Sequence, residues 1–357
     1  PSAGRDARVT FSSLNSAVRE KFQVSYHPES GRMGGLVLSH KPDKEDDGYF
    51  LFLAEPALEQ METPIAKNVI FVLDKSGSMS GPKFRQAREA LHFILDRLED
   101  HDSFNLVDYN AKVYTWQPEL MDMRGENRAS AKAYVDNLRS GGNTNIGAAL
   151  TNAFGLLKET DDPSYIIFLT DGQPTEGETR EMKLAELAAK LNPKNKARLF
   201  SFGVGHDVNA RLLDRLSGQA GGSSVFVEPT ENLEAKVSSF FSRITSPALV
   251  RPTLKADRAV NRVLPETLPD LFSGQQLVVV GRYPKGGETV LTLAGRQGEK
   301  DFKNEYKVKL ADSPSPDGQF IASLWAKRRI AELIDEIDLA GGKPSSELVD
   351  ELVRLSK

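Results

Sequence analysis

The chain predicts an α/β fold: a doubly wound, mostly parallel sheet of about six strands, inserted in an antiparallel β-sandwich and followed by C-terminal helices. Three observations carry this expectation. From Asn68 to about Thr245, apolar runs of strand length alternate with apolar residues at helical spacing. Two of the runs, Val69–Leu73 and Tyr165–Leu169, are unbroken, the pattern of strands covered on both faces in a parallel sheet. The flanking segments, 18–55 and 252–310, instead read as strands parted by charged, Gly- or Pro-rich turns, and neither looks self-sufficient. Because the ends of a doubly wound unit can lie close together, the two flanks are expected to form one sandwich. The expected division is 1–64 (first part of the sandwich), 65–246 (doubly wound domain), 247–312 (second part of the sandwich) and 313–357 (helical segment).

In order, residues 1–15 read as a lead-in and Phe22–Tyr26 as an alternating, half-buried strand. Gly34–Ser39 and Tyr49–Ala54 are two further strands about a charged tip, and Pro56–Pro64 is a linker. After the first buried strand, Phe84, Ala87, Leu91, Ile94 and Leu98 recur at helical spacing, with Pro82 near the helix start. Ser103–Tyr109 and Ala111–Trp116 resemble a hairpin about Asn110, and Ala129–Leu138 reads as a helix. A helix opening at Ile146 precedes the strand Tyr165–Leu169, and Met182–Leu191 is a helix again. Then come a strand at Arg198–Val204, a short helix at Ala210–Leu216, a strand at Ser224–Val227 and a helix at Leu233–Ile244. Strands at Pro252–Ala256, Gln276–Tyr283, Glu288–Leu293 and Phe302–Leu310 follow. The chain closes with an amphipathic helix at Ile321–Leu339, stopped by Gly341-Gly342, and a last short helix after Pro344-Ser345.

Composition narrows the function classes. With 357 residues, 39% hydrophobic and 27% charged, the chain has material for a sizeable core and about two to three domains. The net charge of −4 argues against general nucleic-acid binding, which shows a basic excess or patch. No apolar run approaches the ~20 residues of a membrane-spanning helix. With no cysteine, disulfides, thiolate metal sites and a Cys nucleophile are excluded. The chain begins at Pro1 rather than Met, so a missing start is expected and the compartment stays open.

The chemistry gathers where buried strands end. Asp74 follows Val69–Leu73 directly, with hydroxyls at Ser76 and Ser78 around Gly77. A Gly-rich loop, Gly141–Asn145, opens a helix and offers Thr144. The strand Tyr165–Leu169 ends in Thr170-Asp171-Gly172. Each residue alone would also suit a turn or an N-cap. Together they converge on the carboxyl edge of a parallel sheet, where such folds place ligand sites. All are hard oxygen donors, a set that suits Mg²⁺, or Mn²⁺ or Ca²⁺, better than Zn²⁺ or Cu²⁺. The charge of Asp74 and Asp171 just balances a divalent cation. If one of them coordinates only through water, a carboxylate from outside becomes the natural sixth ligand.

The pattern D-x-S-x-S, then a loop Thr, then a strand-terminal Asp resembles the metal-ion-dependent adhesion site of the von Willebrand factor A family. The resemblance implies direct coordination by the two serines, with Thr144 and Asp171 exchanging between direct and water-bridged contact. The strand F-Q-V-S-Y, L-P-D-L-F-S-G-Q-Q-L-V-V-V-G-R-Y at 268–283 and F-I-A-S-L-W-A-K-R-R-I at 320–330 extend the likeness to the inter-alpha-trypsin inhibitor heavy chains and their bacterial relatives. It implies a preceding vault-type domain cut off here, an extracellular or periplasmic setting, and a last A-domain helix, Leu233–Ile244, that slides when ligand binds. The heavy chains' acidic-Pro-His attachment sequence is absent, so matrix transfer does not carry over.

The expectation is therefore a non-enzymatic, metal-dependent adhesion module whose partner is a protein presenting an Asp or Glu carboxylate. The rival readings are a cytosolic assembly adaptor beside a ring ATPase and a Mg²⁺-dependent hydrolase. For the hydrolase no general base is evident: of five histidines only His206 lies near the metal-bearing edge, where a turn residue is the plainer reading. Lys75 and Lys83 near Gly77 and Gly81 miss the spacing of a phosphate loop. Leu264-Pro265-Glu266-Thr267 resembles a sortase signal, but Leu268 stands where Gly is needed.

Overall fold

The computed structural model describes residues 34–43, 46–55, 66–160, 162–193, 196–228, 230–244, 247–272, 275–298, 300–315, 318–339 and 344–356. The expected strand at Phe22–Tyr26, the lead-in and the linker Pro56–Pro64 lie outside them. Two strands come first, β1 (Gly34–His40) and β2 (Gly48–Glu55), paired antiparallel from Gly34↔Glu55 to His40↔Tyr49.

The doubly wound region runs through β3 (Asn68–Asp74), α1 (Pro82–Arg97), β4 (Ser103–Tyr109), β5 (Val113–Thr115), β6 (Met121–Asp122), α2 (Asn127–Asn137), α3 (Ile146–Gly155) and β7 (Ser164–Thr170). It continues through α4 (Glu181–Leu191), β8 (Ala197–Val204), α5 (Ala210–Gln219), β9 (Ser224–Val227) and α6 (Leu233–Ile244). The sheet order is β5-β4-β3-β7-β8-β9, with β6 also paired to β4. β4, β3, β7, β8 and β9 are parallel, while β5 and β6 run antiparallel on β4. The two-residue β6 adds a seventh strand to the expected six, being too short to show alternation.

Every residue of β3, β7 and β8 is buried, and alternation sorts their side chains to opposite layers. Val69, Phe71 and Leu73 join Phe84, Leu91, Val237 and Phe241 of α1 and α6. Ile70 and Val72 join Ile146, Leu150, Leu184 and Leu212 of α3, α4 and α5. The strand order reverses at β3, with β4 on one side and β7 on the other, so the crevice of a doubly wound sheet opens where β3 and β7 end.

The rest of the chain comprises β10 (Pro247–Ala256), β11 (Asn261–Leu264), β12 (Leu271–Phe272), β13 (Leu277–Tyr283), β14 (Gly287–Gln297), β15 (Lys300–Leu310), α7 (Gln319–Leu339) and α8 (Ser346–Ser356). Two four-stranded sheets result, β1-β2-β13-β11 and β12-β10-β14-β15. β2 pairs with β13 from Leu277↔Ala54 to Tyr283↔Gly48, so one sheet is built from both sides of the doubly wound region. Phe50, Phe52 and Val279 of that sheet share a core with Leu249, Leu291, Leu293 and Leu310 of the other. The outer face carries Leu51 and Val280 and is covered by Ile321 and Trp325 of α7, the Trp indole donating to Arg262 O at 2.9 Å. The short strands β11 and β12 escape the periodicity reading because both lie in the Pro-punctuated stretch 261–272.

The sandwich side docks at the amino ends of the parallel strands. Phe272 belongs to the doubly wound core, its ring 6.1 Å from Tyr165 and 6.3 Å from Phe200. Beside it Arg198 pairs with Asp270 at 2.9 Å, both side chains at most 5% exposed. The opposite edge, where β3 and β7 end, carries the predicted site residues.

Candidate metal centre

Because β3 and β7 are neighbours in register, Leu73↔Leu169, their last residues arrive side by side. Asp74 is fully buried and its carboxylate is held on both oxygens. Oδ1 accepts from the Ser76 N–H at 2.8 Å. Oδ2 accepts from the Thr170 hydroxyl at 2.7 Å and from the Tyr109 hydroxyl at 3.3 Å. The chain after Asp74 enters a single 3-10 turn, Gly77–Met79, with Ser76 at its cap position. Ser76 makes no side-chain capping bond there; its Oγ lies 3.1 Å from Ser78 Oγ. The helix α1 is capped by Gly81, also without a side-chain bond. Capping therefore does not account for either serine hydroxyl.

The Gly-rich loop is bound to this turn by backbone. Gly77 N–H donates to Gly142 O at 2.9 Å, and Gly141 N–H to Lys75 O at 2.7 Å. Such close approach requires glycine at Gly142, whose φ is +91° and where a Cβ would lie 3.1 Å from Asn110 Nδ2. Asn110 fastens the loop from the other side, donating to Gly141 O at 2.7 Å. Asn145 caps α3 by accepting from the Ala148 N–H at 3.0 Å. Between them Thr144 is 3% exposed, and the contacts that tie it down run through its backbone: N–H to Thr175 Oγ1 at 2.9 Å, and O from Thr175 and Glu176.

Asp171 is 3% exposed, yet its Oδ1 has no hydrogen-bond partner. The turn after β7 is held by the Thr170 hydroxyl, whose Oγ1 accepts from the Gly172 N–H at 2.9 Å. Oδ2 lies 3.9 Å from Lys83 Nζ. Burial pushes the Asp74 carboxyl from its ordinary 3.8 up to about 6, against the lowering effect of its hydrogen bonds, and repulsion from Asp171 adds to the rise. Burial also holds the Tyr109 hydroxyl well above its ordinary range, reinforced by Asp74, so it stays a donor. Two crowded carboxylates, one with an orphaned buried oxygen, beside a pair of hydroxyls 3.1 Å apart, fit a hard divalent cation. Among the described residues no three His, Cys, Asp or Glu side chains gather as a metal cluster. The candidate set differs in having only two acids, completed by hydroxyls.

Thr170, Tyr109 and Asn110 support the site but were not legible as such, since nothing in their spacing separates them from ordinary strand-end residues. Lys75 turns aside, 2.5 Å from Asp108 Oδ2 and 4.1 Å from the Tyr114 ring centre. His206 is exposed in the turn after β8.

The von Willebrand factor type A domain model matches residues 68–240. Inter-alpha-trypsin inhibitor heavy chain H2 of Sus scrofa is 33% identical over 336 residues, 85% of this chain and 35% of its own. Heavy chain H4 of Homo sapiens is 30% identical over 349 residues, 90% of this chain and 37% of its own. The chain thus spans about a third of the length of these curated relatives. Among solved structures, a von Willebrand factor type A protein from Catenulispora acidiphila matches with a TM-score of 0.60 at 17% identity, over 93% of this chain and 88% of that one. The ArnB paralog VWA2 from Sulfolobus acidocaldarius matches with a TM-score of 0.58 at 17% identity, over 90% and 89%. These two likenesses establish the fold. Von Willebrand factor A domains typically mediate protein–protein interaction or adhesion and commonly bind a divalent metal. The chain is a von Willebrand factor A domain protein, homologous over most of its length to the inter-alpha-trypsin inhibitor heavy chains.

Proposed function

We propose that the chain is a non-enzymatic binding module in which Asp74, Ser76, Ser78, Thr144 and Asp171 hold one divalent cation, Mg²⁺ in the first instance, that receives an Asp or Glu carboxylate of a protein partner. The observation that carries the reading is the orphaned, buried Oδ1 of Asp171 at the same strand edge as the buried Asp74 and the Ser76–Ser78 hydroxyl pair. When bound, the cation supplies a hard Lewis-acid position for an oxygen ligand. The chain's own residues hold the donors in place: Thr170 and Tyr109 fix the Asp74 carboxylate, and Gly142 and Asn110 bring the Thr144 loop against the serine turn. Tyr109 remains protonated and Lys75 is engaged with Asp108, so neither is available as a general base.

The test is calorimetric titration of Mg²⁺ into the wild-type chain and into Asp74→Asn. Binding in the first and none in the second is expected; equal affinity would sink the assignment. Asn serves better than Ala, because its oxygen still accepts from the Ser76 N–H and its amide fills the space facing the Thr170 and Tyr109 hydroxyls.

We also propose that 1–64 and 247–312 form one sandwich domain, that 65–246 is the inserted A domain and that 313–357 is a helical appendage. Pairing of β2 with β13 supports this reading. Replacing 68–245 by a short linker should leave a folded β domain, whereas 252–310 alone should remain unfolded; a folded 252–310 fragment would refute it.

A further inference from the structure

Lys83 stands where helix physics does not want it. It lies in the first turn of α1, beside Pro82, and that turn holds no acidic residue. A cation there opposes the positive end of the helix dipole, which favours Asp or Glu. Its position follows from other contacts. Its Nζ is 3.4 Å from Ser78 O and 3.9 Å from Asp171 Oδ2, with the side chain 27% exposed. The route runs over Gly205, where φ is +122° and a Cβ would sit 2.7 Å from Nζ and 2.8 Å from Cε. A side chain at 205 would thus displace the ammonium from the rim of the candidate centre.

We infer that Lys83 is a tethered cation of this centre: it offsets the paired carboxylates of Asp74 and Asp171, opposes entry of a divalent cation, and donates a hydrogen bond to the carboxylate of an acidic ligand. The inference rests on the metal reading above and adds a second point of recognition. Coulomb's law sets opposite signs for the two effects. An ammonium close to Asp171 repels an incoming divalent cation, so its removal tightens cation binding. The same ammonium attracts an incoming carboxylate and can hold the oxygen that the cation does not, so its removal weakens ligand binding. A lysine that merely braced the loop would lower both affinities together. The ligand class that follows is a carboxylate presented on a flexible side chain, with one oxygen free for an ammonium donor.

The test uses the whole chain and Lys83→Met, which keeps most of the length and the apolar stem while removing the charge. Mg²⁺ affinity is measured by calorimetry, and carboxylate binding by relaxation of ¹³C-labelled acetate on protein loaded with Mn²⁺. In Lys83→Met, Mg²⁺ is expected to bind about three- to tenfold more tightly and acetate about three- to tenfold more weakly, as befits a partly exposed charge. Lys83→Arg should retain most of the acetate affinity. Unchanged or weaker Mg²⁺ binding in Lys83→Met, or unchanged acetate binding, would overturn the inference. Absence of Mg²⁺ binding by the wild-type chain would remove the metal reading and this inference with it, and that failure is visible before any variant is made.

Discussion

Asp74→Asn should stabilise the metal-free protein. The carboxyl is buried and crowded by Asp171, and its rise from 3.8 to about 6 corresponds to about 3 kcal/mol against the ionised fold at neutral pH. The sign follows from proton binding. A folded-state value above the unfolded one means that the fold holds this proton more tightly. The penalty is thus full above about pH 6 and relieved as pH falls towards about 4. Asn removes the charge and keeps the shape: its oxygen can accept from Ser76 N–H, and its amide can donate to the hydroxyl oxygens of Thr170 and Tyr109. In EDTA at pH 7.5 the variant should exceed the wild type by about 2–3 kcal/mol, a rise of several degrees in Tm, and the gap should close near pH 4. Mg²⁺ at about 1,000 times its Kd should reverse the order, since it adds about 4.1 kcal/mol to a chain that binds and nothing to one that does not. Urea and thermal unfolding with and without metal provide the assay. A variant less stable than wild type in EDTA at pH 7.5, or one that gains as much from Mg²⁺, would refute the reasoning.

Further outcomes are expected at other sites. Asp270→Ala should cost about 3–5 kcal/mol in unfolding experiments, because it leaves the Arg198 guanidinium buried without its counter-charge and strips the Arg251 N–H of its acceptor; a loss below about 1 kcal/mol would show that the pair is incidental. No turnover of esters, phosphoesters or nucleotides is expected; metal-dependent turnover abolished by Asp171→Ala would overturn the non-enzymatic reading. Spin labels at Lys183 in α4 and Lys300 in β15 should report a changed distance distribution when Mg²⁺ and an acidic peptide are both saturating, if ligation shifts α6 against the sheet. The Phe240 ring packs edge-on to Phe200 at 4.7 Å and Phe202 at 5.2 Å, contacts that hold by shape and permit a slide. An unchanged distribution would mark α6 as a fixed tether.

The architecture of the central domain was determined by the sequence itself, because a strand buried on both faces writes an unbroken apolar run and a covering helix writes a 3.6-residue period. Val69–Leu73 and Tyr165–Leu169 both read this way, and so the pattern alone puts Asp74 and Asp171 at strand ends. The helices Pro82–Arg97 and Leu233–Ile244 were equally legible from their apolar spacing. Only tertiary structure decided what surrounds those ends. Tyr109 and Thr170 reach Asp74 from adjacent strands, and Asn110 reaches Gly141 across 31 residues of chain, relations that no local pattern encodes. The same holds for Lys83, whose position depends on the bare backbone of Gly205, and for the Arg198–Asp270 pair at the far edge. Periodicity records how many faces of an element are covered. It does not record which distant residue does the covering, and the chemistry of this site depends on those distant residues.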